Sequence, residues 1–431
     1  MGKGIARRIF KGDKIIWTIF FILCALSLIE VFSATSRQTY ETHNYWLPIT
    51  RHAIFLLSGV GVVWFIHNMK ISWIKRFSYF IYGAGVVLLI WAAFGGAVVN
   101  ESARWVEIFG IKFQPLEIAK MGIVMTTALV LAESQSEEGT NRKAMKKILT
   151  LCAIPCLFIL MENLSTVVII LATVFFMMLI GRVYWKHLLG IVGVAAVTGI
   201  LLLSFIMITP DKVRSGASSS ERKLHNKVLT WKNRFLDVFS TSETVTAKKY
   251  KISGNEQRTY ASIAIASSGI FGLGPGNSVQ RDFIPHAYSD FIYAIIIEEL
   301  GLVGGIFVIL LYITLLYRCG TIASRCEDSY PAFLIMGMGM IIAIQALLHM
   351  TISVGGLVTG QPLPLVSQGG TSILINCIYI GTMLSISRYV KRLSKAQQTA
   401  IVANETEKEN SDIYEENKTQ QEYEEGVQNN N

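Results

Sequence analysis

The sequence predicts an all-α, polytopic membrane protein with about ten transmembrane helices and one large external loop between spans seven and eight. The chain has 431 residues, of which 52% are hydrophobic and only 16% are charged. Soluble domains carry about 25% charged residues. Apolar blocks of about 17–22 residues alternate with short polar segments, and such blocks are long enough to cross a bilayer as helices. These observations exclude a string of soluble domains.

Ten apolar blocks are predicted as membrane spans, and together they form one membrane domain over residues 15–396. A basic N-terminal segment, residues 1–14, precedes the first block. That block is long for the apolar region of a signal peptide and more spans follow, so we interpret it as an uncleaved first helix. The predicted spans are residues 15–33, 52–67, 77–95, 117–133, 148–162, 165–181, 187–209, 290–317, 331–351 and 372–390.

Basic residues in the short connections predict the orientation of the chain. Lys and Arg are enriched in cytoplasmic loops of membrane proteins. With ten spans, the basic connections and the N-terminus fall on one side, so both termini are predicted to be cytoplasmic. The connections that carry this signal contain Lys70, Lys75, Arg76, Arg142, Lys143, Lys146, Lys147, Arg182, Lys186, Arg318, Arg325 and residues 388–395.

The large external loop, residues 210–289, is too long to be without structure and contains twelve Lys or Arg residues between Lys212 and Arg281. We expect short helices on the membrane surface. Residues 224–239 have amphipathic spacing with Trp231 and Arg234, which favours an interfacial helix. A basic external surface suits lipid phosphates or a substrate with a pyrophosphate group, and no nucleic-acid motif accompanies it.

The remaining composition restricts the chemistry. Residues 397–431 are rich in Glu, Asn, Gln and Lys without apolar periodicity, which predicts a disordered acidic cytoplasmic tail. The six cysteines form no CxxC pair, so neither a disulfide framework nor a cysteine metal site is expected. No metal cluster and no nucleotide-binding motif is evident, and no cofactor is predicted.

Three carboxylates, Asp290, Glu298 and Glu299, stand at or inside one apolar block. A charge within the bilayer costs about 2.5–3.5 kcal/mol on insertion scales, so such residues usually serve a function. Asp290 is either a general base in a half-desolvated site or, with Ser289, a helix N-cap. In a continuous helix, Glu298 lies about 12 Å from Asp290 near the same face, and Glu299 lies on the opposite face. These two are either cavity-lining or structural acids.

Three further segments carry candidate functional residues. Glu117 and Lys120 have the i, i+3 spacing of an ion pair on one helical face, either for structural support or near an external pyrophosphate. Arg104 and Trp105 lie in an external loop, where arginine recognises phosphate and tryptophan stacks on sugars, although interfacial aromatic anchors are common. Two prolines and three glycines in residues 360–370 preclude a regular helix, and this segment is expected either to line an external vestibule or to form an exposed loop.

Taken together, these segments resemble the SEDS family, the proteins of shape, elongation, division and sporulation. The resemblance extends over residues 15–390, and the Gly-Asn-Ser-Val-Gln run is most similar to the cell-division branch, with the elongation branch as the near relative. The motifs are Ala103-Arg104-Trp105, Gln114-Pro115-x-Glu117-x-x-Lys120, residues 274–280 ending in Gln280, Ser289-Asp290 with Glu298-Glu299-Leu300-Gly301, and residues 362–370, which include Ser367.

The chain departs from the family pattern at several positions. Leu116 replaces the usual serine of the Gln-Pro-Ser-Glu motif. Asn163 and Ser165 stand where Asp and Gly are usual, so an acid is lost there. His349 replaces a common asparagine, and Leu357 a common proline. None of these changes affects Asp290.

The resemblance implies a peptidoglycan glycosyltransferase that polymerises lipid II during septal cell-wall synthesis, at the outer face of the bacterial cytoplasmic (inner) membrane. It places the catalytic aspartate at Asp290 and assigns Glu117, Glu298 and Glu299 to structural support. Expected partners are a class B penicillin-binding protein transpeptidase and other divisome membrane proteins. The candidate substrate-binding residues are Arg104, Trp105, Lys120, Arg234, Gln280 and Ser367.

Several alternatives stay open at this point. A divalent cation, Mg²⁺ or Mn²⁺, could assist at the pyrophosphate, although no ligand cluster predicts one. A lipid II flippase would also use intramembrane acids, but no internal repeat is visible in the sequence. The elongation-type polymerase of the same family and a scaffold for a transpeptidase are the remaining interpretations.

Overall fold

The computed structural model is a bundle of long helices. It describes residues 10–35, 46–95, 97–99, 102–108, 111–136, 139–210, 225, 228–229, 231–232, 236, 256–284, 287–355 and 360–428. The helices are α1 Lys14–Ala34, α2 Leu47–Asn68, α3 Ile71–Gly95, α4 Pro115–Glu133, α5 Arg142–Glu162, α6 Leu164–Ile180, α7 Trp185–Ile208, α8 Glu256–Ser267, α9 Ile292–Ala323, α10 Ser329–Ser353 and α11 Gly370–Gln428.

The all-α membrane architecture predicted from the sequence is confirmed, because nine of the ten predicted spans each coincide with one helix and the eighth coincides with α9, which is interrupted. Within the described residues, eight helices are long and apolar enough to cross a membrane. The other two are α6, which is apolar but shorter, and α5, whose first turns carry the basic cluster of residues 142–147.

Helix α4 lies at the centre of the bundle. Sixteen of its 19 residues are buried, and small residues bring it into backbone contact with α3. A Cβ added to Gly122 would lie 2.6 Å from the Cα of Tyr82, and one added to Gly85 would lie 2.7 Å from the Cα of Ala119. Close approach through small residues is how membrane helices gain packing energy, since lipid removes most of the hydrophobic drive between them. By contrast, α7 is largely exposed along its length.

Basic connections from distant parts of the sequence meet at one end of the bundle, which we call the basic face. Asp13 forms an ion pair with Arg318 of α9. Arg388 of α11 donates to the backbone carbonyls of Asn68 and Met69, at 2.9 and 3.0 Å. Lys391 donates to the carbonyl of Gly12 at 2.6 Å. The opposite end, where α1 finishes at Ala34, is called the site face.

Helix α9 is not the single span that the sequence predicted over residues 290–317. Gly301 has φ +72° and ψ −175°, which interrupts the helix. The hydroxyl of Tyr293 donates to the carbonyl of Gly305 at 3.2 Å. In a continuous helix these residues would be about 18 Å apart along the axis. The chain therefore bends sharply at Gly301, and residues 292–300 pack beside the start of the second half.

Residues 269–274 supply the hydrogen bonds that the interruption removes. The backbone N–H groups of Leu273 and Gly274 donate to the carbonyls of Glu298 and Glu299 at 2.9 and 2.8 Å. On the other side of the break, the N–H of Leu302 donates to the carbonyl of Gly269 at 3.2 Å. Broken helices at membrane depth require such partners, because lipid offers none.

Two connections contain short strands that the sequence analysis did not predict. Strands β1 Ala97–Val99, β2 Ser102–Ile108 and β3 Ile111–Phe113 form an antiparallel sheet in the order β1-β2-β3. Strands β4 Gln135–Ser136 and β5 Gly139–Thr140 form a second antiparallel pair.

The large loop and the tail complete the comparison with the predicted elements. Helix α8 and a 3-10 turn over Gln280–Asp282 lie in the loop, and the six described residues between 225 and 236 are helical, whereas Arg234 lies outside the described residues. The tail prediction differs from the structure, because α11 continues as helix to Gln428. Glu, Lys, Gln and Ala are strong helix formers, so a segment that lacks an apolar face can still extend a helix that begins in the bundle.

Candidate functional site

Asp290 lies just before the first half of α9, at the site face. The helix N-cap is Phe291, which makes no side-chain capping bond, so Asp290 is not the cap that the sequence allowed. The hydroxyl of Ser289 donates to its Oδ1 at 3.0 Å, and the side chain is partly exposed. A Cβ added to Gly360 would lie 3.5 Å from its Oδ2. Asp290 therefore keeps an accessible carboxylate oxygen beside the Gly360 backbone.

The chain before Asp290 is held by residues 360–370. Ser367 Oγ donates to the carbonyl of Ser289 at 2.7 Å and accepts from the N–H of Leu363 at 2.8 Å. The N–H of Gln368 donates to the carbonyl of Tyr288 at 3.0 Å. The Ser367 hydroxyl is buried, and its proton is committed to the backbone. Its geometry is that of a group that fixes the position of Asp290.

The 360–370 segment is itself anchored to three helices. Tyr312 of α9 donates to the carbonyl of Pro364 at 2.5 Å, and Ser27 of α1 donates to that of Val366 at 2.7 Å. Gln345 of α10 donates to the carbonyl of Pro362 at 3.0 Å. Residues 363–367 are buried. The interpretation as an ordinary exposed loop is therefore wrong; this is non-helical backbone enclosed by protein, as membrane depth requires.

The predicted ion pair between Glu117 and Lys120 is present in the first turns of α4. The Lys120 Nζ lies 2.7 Å from Glu117 Oε1 and donates to Gln345 Oε1 at 2.9 Å, and both charged side chains are buried. A buried charge is tolerated when it is paired and hydrogen-bonded. Through Gln345, the pair is connected to Pro362 and so to the segment beside Asp290.

Glu298 and Glu299 bind the glycine-rich loop of residues 274–280. Glu298 accepts from the hydroxyl of Ser278 and from the N–H groups of Val279 and Gln280, the latter two at 3.1 and 3.3 Å. Glu299 accepts from the N–H groups of Gly276 and Ser278 at 2.8 and 3.2 Å. The prediction placed Glu298 near the face of Asp290 and Glu299 opposite it in one helix, but the helix begins at Ile292, after Asp290, and the loop of residues 274–280 binds both glutamates.

A second set of contacts ties Glu299 to α1. Ser33 donates to its carboxylate, and Arg281 donates to Ser33 Oγ at 2.6 Å while its Nη1 lies 3.6 Å from Glu299 Oε1. Glu30, one turn earlier on α1, is fully buried, and within the described residues neither of its carboxyl oxygens has a hydrogen-bond partner. The sequence analysis did not single out Glu30, because one acid within a helical block carries no spacing signal.

The remaining predicted site residues are placed as follows. Arg104 and Trp105 lie on strand β2, and their side chains are outside the described part of the structure. Arg234 is not described either. Gln280 begins the 3-10 turn, where its backbone N–H binds Glu298.

Two buried side chains next to Asp290 were missed as site residues. His349 of α10 places its Nδ1 2.6 Å from the carbonyl oxygen of Gln361, the residue after Gly360. Gln361 donates through Nε2 to Thr166 of α6 at 2.8 Å. The sequence analysis noted His349 only as a departure from a common asparagine. In the described residues, no group of three or more His, Cys, Asp or Glu could hold a metal ion.

Comparison with known sequences places the chain among bacterial cell cycle proteins. The model of the family that comprises FtsW, RodA and SpoVE, described as "Cell cycle protein", matches residues 13–392. The chain is 29% identical over 394 residues to the probable peptidoglycan glycosyltransferase FtsW of Coxiella burnetii, covering 88% of this chain and 98% of that protein. It is 27% identical over 387 residues to the stage V sporulation protein E of Bacillus subtilis, covering 88% and 97%.

Comparison with solved structures gives the same fold. A chain from a peptidoglycan synthase complex that coordinates polymerization and crosslinking superposes with a TM-score of 0.67 at 21% identity, over 88% of this chain and 98% of that chain. The rod shape determining protein RodA of Thermus thermophilus superposes with a TM-score of 0.60 at 20% identity, over 88% and 97%.

Proposed function

The chain belongs to the FtsW, RodA and SpoVE family of cell cycle proteins, and from that premise we propose that it is a peptidoglycan glycosyltransferase that polymerises lipid II with Asp290 as the general base. Its relatives with the name peptidoglycan glycosyltransferase cover nearly the whole chain, which supports the activity. The site face is then the outer face of the cytoplasmic membrane, and both termini are cytoplasmic.

The reaction is transfer of a glycosyl group from a lipid pyrophosphate. Asp290 takes the proton of the acceptor hydroxyl of lipid II while that oxygen forms a bond to the anomeric carbon of the growing glycan. The bond from this carbon to the undecaprenyl pyrophosphate oxygen breaks, and the pyrophosphate leaves with the electron pair. Pyrophosphate is a good leaving group, so one carboxylate suffices where hydrolytic glycosidases use two.

The observation that carries this proposal is the difference among the three acids. Glu298 and Glu299 are buried and occupied by backbone and hydroxyl donors of residues 276–280, which supports their role in holding the site together. Asp290 receives one hydroxyl donor, from Ser289, and remains partly exposed. A base must reach the substrate proton within about 2.6–3.2 Å, and of the three only Asp290 has that access.

Charge on the leaving pyrophosphate requires cationic groups. Arg104, Arg234 and Lys120 are the candidates from the sequence. The contacts of Lys120 to Glu117 and Gln345 favour a structural role for it, which leaves Arg104 and Arg234 as the stronger candidates. Trp105 is proposed to stack on a sugar ring, and Gln280 to contact the substrate from the loop. A divalent cation at the pyrophosphate stays a proposal.

A transpeptidase is the proposed partner. The likeness to a chain of a complex that coordinates polymerization and crosslinking supports a crosslinking enzyme of the class B penicillin-binding protein type. The named relatives of the FtsW type favour action at the division septum with other divisome proteins over action in elongation.

The test compares Asp290→Asn protein with the wild type in a lipid II polymerisation assay, with and without the cognate transpeptidase. Removing a general base is expected to lower the rate by about 10²–10⁴-fold. Asp328→Asn is the matched control, because Asp328 is an exposed acid at the basic face. It is expected to polymerise like the wild type.

Lipid II flipping is measured on the same vesicles. Near-normal glycan synthesis by the Asp290→Asn protein would overturn the assignment of the base. If the wild type flips lipid II but does not polymerise it, the transporter is favoured. If the wild type shows neither activity, the scaffold is favoured.

A further inference from the structure

His349 has one ring nitrogen in use and one without a partner. Its Nδ1 lies 2.6 Å from the carbonyl oxygen of Gln361, and within the described residues its Nε2 has no hydrogen-bond partner, although the ring is fully buried. A carbonyl oxygen can only accept, so a neutral ring carries its proton on Nδ1. The buried Nε2 is then a lone pair for which the described residues supply no donor.

The position of His349 connects this lone pair to the proposed reaction. Gln361 follows Gly360, whose Cα is close enough to Asp290 that an added Cβ would lie 3.5 Å from Oδ2. The histidine ring and the carboxylate thus flank the same two residues of backbone, one from α10 and the other from the start of α9.

A second acceptor without a donor lies in the same place. The Nε2 of Gln361 donates to Thr166, but its Oε1 has no partner within the described residues, and the side chain is buried. The segment beside Asp290 Oδ2 and the histidine bonded to it therefore carry two further acceptors that have no donor within the described residues. Such a lining is complementary to a ligand with hydrogen-bond donors, and amino sugars carry hydroxyl and amide N–H groups.

We propose that His349 is a substrate-binding residue whose Nε2 accepts a hydrogen bond from a hydroxyl or amide N–H group of the lipid-linked amino sugar beside Asp290. The inference rests on the proposed function, since it assigns the ligand by the reaction at Asp290. The donor–acceptor match, and not charge, is what His349 contributes.

Two variants of His349 distinguish the roles of its two ring nitrogens. In His349→Asn the amide takes the place of Nδ1 and preserves the bond to Gln361, but no atom reaches the position of Nε2. In His349→Gln the amide reaches the position of Nε2 instead. Full-length proteins with their transpeptidase are assayed for KM and kcat with lipid II, and melting temperatures are recorded for each variant.

His67 provides the matched control. It is also fully buried, its Nδ1 lies 2.7 Å from the carbonyl of Trp64, and its Nε2 has no partner within the described residues, but it lies at the basic face. We expect His349→Asn to raise KM about tenfold, equivalent to about 1.4 kcal/mol, with kcat within about twofold of the wild type. His67→Asn should leave KM unchanged, and His349→Gln should restore part of the affinity.

Each outcome decides one claim. The role of His349 would be overturned if the wild type and His349→Asn had equal KM values, or if KM rose equally in His349→Asn and His67→Asn. In either case the proposed function would still stand, provided that the Asp290→Asn protein is inactive. A fall in kcat together with melting temperature, without a change in KM, would make His349 a structural residue. Polymerisation by Asp290→Asn would overturn the proposed function itself.

Discussion

At the scale of single residues, the site is organised by which carboxylates are already occupied. Glu117 is paired with a lysine, and Glu298 and Glu299 are bound by a loop. Asp290 alone among these four has a partly exposed side chain. Acids of equal formal charge therefore differ in chemical availability, and the number of local donors distinguishes Asp290, the proposed base, from the three other carboxylates.

The Glu117–Lys120 pair allows a test of structural against substrate-binding roles. Lys120→Met leaves Glu117 as an uncompensated buried charge, which typically destabilises a protein by about 3–5 kcal/mol. The double variant Glu117→Gln with Lys120→Met removes both charges and is expected to recover most of this loss, as measured by melting temperature in detergent. If the double variant is as stable as the wild type but has a raised KM for lipid II, Lys120 binds the substrate.

At the scale of elements, the interruption of α9 brings the backbone of residues 269–274 against the end of the first half of the helix. Gly301 adopts a left-handed φ of +72°, and a Cβ there would lie 2.1 Å from the carbonyl oxygen of Ile270. Gly272 lies on the other side of this contact, and a Cβ added to it would lie 2.3 Å from the carbonyl oxygen of Glu299. The two backbones approach too closely for any side chain, which is why glycine stands on both sides of the contact.

Gly301→Ala should therefore disrupt the loop that binds both glutamates. We expect a large fall in melting temperature and loss of polymerisation, because neither backbone can move without breaking the hydrogen bonds at the interruption. Gly190→Ala is the control, since Gly190 is helical in α7 and nothing lies within 4 Å of an added Cβ. Gly190→Ala is expected to change neither the melting temperature nor the rate of polymerisation. Normal stability of Gly301→Ala would show that the bend does not depend on this glycine.

At the scale of the whole molecule, contacts between the first helix and the later ones hold the two faces together. At the site face, Ser33 of α1 reaches Glu299, and Ser27 reaches Val366. At the basic face, Asp13 caps α1 through the N–H groups of Ile15 and Ile16 and forms an ion pair with Arg318 of α9. Helix α1 therefore connects the basic face to the segments around Asp290 through contacts at both of its ends.

The ion pair of Asp13 makes a pH-dependent contribution to the stability of the fold. Burial raises the pKa of Asp13, but the hydrogen bond from Arg318, the N–H of Ile16 and the Arg318 charge together hold its pKa below the ordinary 3.8. A depressed pKa stabilises the fold fully above pH 3.8, and this contribution is lost as pH falls through the lower, folded value. The melting temperature of Asp13→Asn should be lower than that of the wild type at neutral pH, and the difference should shrink below about pH 4. A difference that is constant with pH would contradict the ionic role.

The sequence by itself determined the fold class and most of the spans, because membrane helices need apolar blocks of a required length and these are visible residue by residue. It also determined the Glu117–Lys120 pair, since i, i+3 spacing is a property of one helix. Its motifs singled out Asp290 and the 360–370 segment, because carboxylates and clustered Pro and Gly are exceptional within apolar blocks.

Only the tertiary structure decided how these pieces meet. The arithmetic that placed Glu298 near the face of Asp290 and Glu299 opposite it assumed one helix that includes Asp290, whereas the helix begins at Ile292 and the loop of residues 274–280 binds both glutamates. The partners of His349, Ser367 and Glu299 lie 12, 78 and 266 residues away along the chain. Such contacts depend on the packing of several helices at once, and hydrophobic periodicity reports only which face of one helix is buried.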